Sequence, residues 1–180
     1  GAEILKLLAA PDPAPVVASM AASGVLGHIL PCAEARVLSV LTGLEGDVPP
    51  EPIRRLAALG GQDVADRLRL SRVQAKRLAR LRGAMGETMA AGELGYRLGL
   101  EGARDALLLR ASLFEAPPVP EELTAAARGA EARFPLRAAD LEGLTGPALG
   151  AELARLERLW IGSGFALTKP ELLAARAGPA

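Results

Sequence analysis

The chain of 180 residues is half hydrophobic but only 3% aromatic, so its core must be built almost wholly from Leu, Ala and Val. Twenty-one basic residues balance twenty-one acidic ones, which excludes a strong overall field acting on polyanions. The single cysteine, Cys32, excludes an intrachain disulfide and fits a reducing, cytoplasmic setting; no apolar run approaches a membrane span, and nothing reads as a signal peptide.

Ala and Leu are strong helix formers and no stretch sustains β-branched alternation, so the expected class is all-α. The chain opens GAEILKLL, already inside a helical pattern. Gly1 therefore reads as a cloning remnant and the chain as a piece of a longer protein. Glu3 to Ala10 reads as the end of a helix, and Asp12 as the cap of the next, with Pro13 in its first turn. Gly24 to Pro31 is a turn followed by a short helical or extended piece. From Ala33 to Leu44, Val37, Leu38, Leu41 and Leu44 recur at helical spacing and mark one buried face. A loop at 46–50 leads to a helix from Glu51 to Leu59, which stops at Gly60-Gly61, and a short helix follows from Asp63.

Charge is unevenly distributed. Residues 1–66 carry eight acids against four bases, whereas residues 67–82 carry seven bases and no acid. Ser71-Arg72-Val73-Gln74 has the form of a capping box and predicts a helix from Ser71 to about Met89. On it Leu78, Leu81 and Met85 share one side, while Arg72, Lys76 and Arg80, at i, i+4 and i+8, share the other. Such a stripe is either a solvated helix face or a row of phosphate contacts. Arginines outnumber lysines 18 to 3, a bias that suits phosphate recognition but that a GC-rich genome produces by itself.

Helices are predicted at Glu93 to Leu98 and Glu101 to Phe114, and three prolines among residues 117–120 then mark the clearest boundary. The expected architecture is an irregular multi-helix bundle over residues 1–115, followed by a small helical tail domain over 116–180. The tail begins with a helix from Glu121 to Arg133. Phe134 to Ile161 then reads as two helical segments pinched together at Gly143-Leu144-Thr145-Gly146-Pro147-Ala148-Leu149-Gly150, a helical hairpin. Gly143 suits a positive φ and Pro147 the first turn of a helix. The turn is either a structural joint or an anion site, since a helix start aims unpaired N–H groups outward. Leu149, Leu153, Leu156 and Trp160 form a core stripe, and Thr168 to Glu171 is a second capping box before a frayed end. No internal repeat at a fixed period is present.

Catalytic constellations are absent. One His and one Cys build neither a zinc site nor a nucleophile–base pair; no Asp-x-Asp pair or Walker loop occurs. His28, between Leu26 and Leu30, is expected to be a partly buried packing residue, and Cys32 a small buried hydrophobe. Asp63 and Asp66 read as a cap and a solvated face. Tyr96, Trp160 and the three Phe are scattered along the chain, which argues against a stacking platform for single strands.

Two segments carry a family resemblance. One is Glu3-Ile4-Leu5-Lys6-Leu7-Leu8-Ala9-Ala10-Pro11 with Met20-Ala21-Ala22-Ser23-Gly24-Val25-Leu26 and Ile29-Leu30-Pro31. The other is Phe134-Pro135-Leu136-Arg137-Ala138-Ala139-Asp140-Leu141 running through Gly143–Gly150 to Leu156-Glu157-Arg158-Leu159-Trp160, and Leu68-Arg69-Leu70-Ser71 with Lys76-Arg77-Leu78 lies between them. In that order they resemble the C-terminal half of bacterial class II tRNA nucleotidyltransferases, the CCA-adding enzymes, and of the related bacterial poly(A) polymerases. The resemblance implies a body and tail that hold tRNA by its acceptor arm and elbow. The chemistry, with Mg²⁺ and CTP or ATP, belongs in that family to head and neck motifs that have no counterpart in these residues.

On this reading the chain alone is inactive and carries no cofactor, and its partner is tRNA. The RNA-binding residues expected are Arg72, Lys76, Arg77, Arg80, Arg137, Thr145, Gly146 and Gly150. Four phosphates neutralised by the first four would give a salt slope of about −3.6 per log unit. Nothing in these residues separates CCA addition from poly(A) addition. The competing expectation is a helical interaction module, a homodimer for instance, formed through apolar surface that removal of a head and neck would expose.

Overall fold

Ala and Leu favour helix along most of the chain, and prolines, glycines and capping residues mark many of the boundaries between elements. The computed structural model describes residues 1–176; the frayed end expected at 177–180 lies outside the described residues. The helices are α1 (Ala2–Leu8), α2 (Ala14–Ala22), α3 (Val25–Ile29), α4 (Ala35–Leu44), α5 (Pro52–Leu59), α6 (Val64–Arg67), α7 (Arg72–Gly86), α8 (Ala91–Phe114), α9 (Pro120–Glu131), α10 (Gly146–Gly162) and α11 (Lys169–Ala174). A single 3-10 turn covers Ala138–Asp140, and no strand occurs among the described residues. The fold is all-α, as expected. No described helix is long and apolar enough to cross a membrane.

Boundaries follow local chemistry. Asp12 accepts from the Ala14 N–H at 3.2 Å, and Pro13 itself is the N-cap of α2. Glu51 caps α5 through the Ile53 and Arg54 amides, and Ser71 and Gln74 close the capping box of α7 in both directions. α7 stops at Gly86, three residues before the predicted end. There the Arg110 guanidinium collects the Ala84, Glu87 and Met89 carbonyls, which a continued helix would have had to satisfy. The two helices predicted between 93 and 114 are present as the two parts of α8. Gly99, at φ 74° and ψ 173°, is not helical and separates residues 91–98 from those that run on to Phe114, and only glycine adopts that φ without strain.

Three cores form along α8. The largest joins α1 to α7 with Leu108 and Leu109, around Leu8, Leu30, Leu38, Leu41, Leu56 and Leu59. Two arginines enter it. Arg54 and Arg55 are 1% and 2% exposed and share the carboxylate of Glu45, with Arg54 Nη1 also 2.8 Å from Asp105 Oδ1. Burial works against the Arg54 charge, but the hydrogen bonds of Asp105 and Glu45 outweigh it and hold the guanidinium above its ordinary range.

The second core pairs Leu94, Ala103, Ala106 and Leu107 of α8 with Ala126 of α9, closed off by Ala84. The proline segment turns the chain so that α9 returns along the first half of α8. Backbones touch there: a Cβ on Gly95 would lie 1.9 Å from the Ala126 carbonyl oxygen, and one on Gly129 1.9 Å from that of Gly92. Any side chain at either glycine forces the helices apart.

The third core is built by Leu136, Leu141, Leu156, Trp160 and Leu172. In the expected hairpin the first limb is the 3-10 turn and the second is α10, with Gly143 at φ 83° between them. The aromatic residues scattered along the sequence meet here. Trp160 lies 4.9 Å from Phe165, 5.5 Å from Phe134 and 5.5 Å from Tyr96, which reaches in from α8; Phe114 alone stays out, 80% exposed.

Tyr96 donates to Glu157 at 2.7 Å; burial of the phenol, then this bond, push its pKa up to about 12. A raised pKa means the folded state favours the neutral phenol, so its contribution to stability is complete below about pH 10 and is lost as pH rises through about 12. The chain has one tyrosine, so phenolate absorbance reports it alone. The expected midpoint in the folded protein is about 12; a midpoint near the ordinary value of about 10, with helical ellipticity intact, contradicts the buried bond.

Candidate nucleic-acid interface

The capping box at Ser71 fixes the start of α7 and therefore its rotation. With Leu78 and Leu81 buried, Arg72, Lys76 and Arg80 are turned outward and exposed. Their heads follow one another at about 6 Å along the helix axis. Among the described residues no carboxylate pairs with any of the three.

The row borders a groove of about 340 Å³ between α7 and the broken middle of α8. Val73, Lys76, Arg77, Arg80 and the buried Leu81 line it from α7, and Leu98, Glu101 and Gly102 from α8. The α8 residues of the lining lie on both sides of the non-helical Gly99. Val73 is 78% exposed, so an apolar patch lies beside the cations.

Arg77 stands apart from the row. Its Nη2 lies 2.7 Å from Asp105 Oδ2 and its Nε 3.5 Å from Glu51, at the edge of the buried ion network. At i+5 from Arg72 it falls about 140° further round the helix, where it reaches Glu51 and Asp105 while still lining the groove. Its guanidinium has a structural task that the spacing rule does not reveal.

The tail residues form a second group that shares no cavity with the first. Arg137 is exposed at the lip of a hollow of about 340 Å³ with Phe134, Leu136, Leu153 and Glu157. Its backbone N–H donates to Asp140, whose carboxyl is held below its usual range by the Lys169 hydrogen bond first and by this N–H second. Thr145 is extended and offers no side-chain cap, while Gly146 has a φ of 55°. Neither the Gly146 nor the Ala148 N–H finds an acceptor among the described residues, so the start of α10 is open. Gly146 meets nothing within 4 Å but needs its left-handed backbone, and Gly150 has open space and ordinary helical backbone.

Two expectations are corrected. His28 is exposed, its Nδ1 2.9 Å from the Gly24 carbonyl: α3 buries Leu26, and a residue two places on along the helix points the opposite way. Cys32 is exposed rather than buried, because it takes a φ of 61° in the turn between α3 and α4 while Leu30 and Leu38 occupy the core on either side.

Arg54, Arg55, Glu45 and Asp105 were not legible as a unit. Their only signal is an Arg-Arg pair set between Ile53 and Leu56 in a helix otherwise fit for burial. No family model, curated protein or solved structure matches the chain.

The geometry separates Arg77 from its neighbours energetically. Arg77→Ala removes a charged hydrogen bond from the buried Asp105 and is expected to cost about 1–2 kcal/mol of stability in urea unfolding, its partial exposure moderating the loss. Arg80→Ala should stay within about 0.5 kcal/mol of the parent. Equal effects of the two would remove the distinction.

Proposed function

We propose that this chain is the RNA-holding region of a template-independent nucleotidyltransferase that completes tRNA 3′ ends, gripping the acceptor arm and elbow. The observation that carries the reading is the unpaired Arg72–Lys76–Arg80 row beside the α7–α8 groove. Folded RNA is held mainly through phosphate and 2′-OH contacts, which need cations at regular intervals and not aromatic platforms. The chain offers the first, and four of its five aromatic side chains pack on one another around the buried Trp160, with Phe165 only half-buried. The family resemblance supplies the identity of the RNA and the division of labour, with chemistry assigned to head and neck motifs outside these residues. Poly(A) polymerase relatives fall under the same reading, because in that family the choice of product is made in the same head and neck.

The three cations of the row without a carboxylate partner would by themselves give a salt slope of about −2.7 per log unit, roughly a 40-fold loss of affinity from 50 to 200 mM salt. Arg77, which lines the same groove, is the fourth contact expected from sequence. The triple reversal Arg72→Glu/Lys76→Glu/Arg80→Glu is expected to weaken tRNA binding on the order of 100-fold at low salt and to flatten the slope by about 2.7. Circular dichroism should be unchanged. Unaltered affinity in a gel-shift titration rejects the row.

The open start of α10 is a second contact on this reading. Gly150→Asp adds a carboxylate without a backbone penalty and is expected to lower tRNA affinity several-fold, roughly the worth of one unfavourable charge. Full affinity would leave the hairpin a structural joint.

One observation favours the competing reading of an interaction module. Leu113, Phe114, Val119 and Leu123 are 40–80% exposed around the α8–α9 turn. A salt-insensitive dimer by light scattering, with no tRNA affinity, is the outcome that would select it.

A further inference from the structure

A second cavity, of about 500 Å³, opens where the start of α8, the middle of α9 and the end of α10 converge. Its walls differ in character. Ala91, Gly92, Ala125, Ile161 and Phe165 make an apolar floor, and Arg97, Arg128 and Arg158 stand around it with Glu93 as the one carboxylate. Glu93 is already engaged, its Oε1 2.8 Å from Arg97 Nε. Arg128 and Arg158 have no carboxylate partner among the described residues. Two cations from helices distant in sequence thus face one cavity with their charge uncompensated.

The floor is held rigidly. Phe165 takes a φ of 69°, an uncommon conformation for an aromatic residue, and its ring packs on Trp160 at 4.9 Å and Tyr96 at 5.9 Å. Gly92 lies against the same ring, and a Cβ there would sit 3.1 Å from Phe165 Cε2. The volume is that of a small-ligand site, and guanidinium forks match phosphate oxygens better than they match a diffuse anion.

We propose that this cavity is a nucleoside-phosphate site, with Arg128 and Arg158 holding the phosphate and the Phe165 floor receiving the base. A flat apolar group carrying a compact anion satisfies both surfaces. A free mononucleotide and an unpaired nucleotide of an RNA strand present the same chemistry. The site rests on its own residues and does not require the α7 row, although Arg97 and Leu98, neighbours on α8, line the cavity and the groove respectively.

The test is a calorimetric titration of the chain with AMP, adenosine and inorganic phosphate, and an anisotropy titration with a short single-stranded oligoribonucleotide. The parent and Arg128→Glu/Arg158→Glu are compared; both arginines are exposed, and a matching thermal melt establishes that the variant folds. Saturable AMP binding, at least about tenfold weaker in the variant and absent for adenosine, supports the site with a free nucleotide as its ligand. Oligonucleotide binding that falls by the same factor, without AMP binding, supports it with RNA as the source. Binding of phosphate as tight as AMP overturns the role of the floor. Failure of both AMP and the oligonucleotide to bind, or binding unaltered in the variant, overturns the proposal. So does loss of AMP binding in Arg72→Glu/Lys76→Glu/Arg80→Glu, which would move the nucleotide to the α7 row and leave that reading standing without this one.

Discussion

Arg54 and Arg55 enter the main core as cations, and the segments around them are arranged so that neither is left unpaired. All five N–H groups of Arg55 are used: Nε and one Nη2 hydrogen on Glu45, the others on the carbonyls of Leu8, Ala10 and Pro11. Arg54 bonds Glu45, the Pro49 carbonyl and Asp105, and Asp105 in turn takes Arg77. Moving an ion out of water costs several kcal/mol even after relaxation, so such a network adds little net stability. Its consequence is positional. The end of α1, the α4–α5 loop and α8 must all sit within hydrogen-bond reach of two adjacent side chains of α5, with α7 tied on through Arg77 and Asp105, and few arrangements of those segments meet that condition.

α8 connects this network to everything else. Asp105 on its second half anchors it in the main core, and Gly92 and Gly95 on its first half let α9 approach to backbone contact. Tyr96, between those glycines and the break at Gly99, carries the contact into the aromatic cluster around Trp160. α8, interrupted at Gly99, therefore reaches three cores, and residues on both sides of the interruption line the groove beside the α7 cations.

Arginine has two populations here. Arg54, Arg55, Arg82, Arg110 and Arg155 spend their donors on carbonyls or carboxylates of the fold, Arg82 closing the exposed carbonyls of Gly60 and Gly61. Burial draws the Arg82 pKa down, yet an arginine stays charged, which is what allows it to serve as a carbonyl clamp. Arg72, Arg80, Arg128 and Arg158 have no such engagement and remain at the surface. An abundance of arginine in the sequence thus says little about ligands until the internal users are subtracted.

The sequence by itself determined the helices, since periodicity, capping boxes and proline or glycine stops are local. The box at Ser71, the stop at Gly60, the positive φ of Gly143 and the outward face of Arg72, Lys76 and Arg80 were all legible for that reason. The core stripe ending at Trp160 was legible as well, because one amphipathic helix declares its own buried side. Only the tertiary structure decided which charges are spent inside. Helical spacing already sets Arg77 off the row of Arg80, but not its partner: Asp105, 28 residues beyond it, comes to lie against Arg77 only in the folded chain. The same holds for Tyr96 and Trp160, and for the cavity of Arg128 and Arg158. These groupings join separate helices, and the pairing of helices is set by close backbone contacts and buried charges whose partners no local pattern identifies.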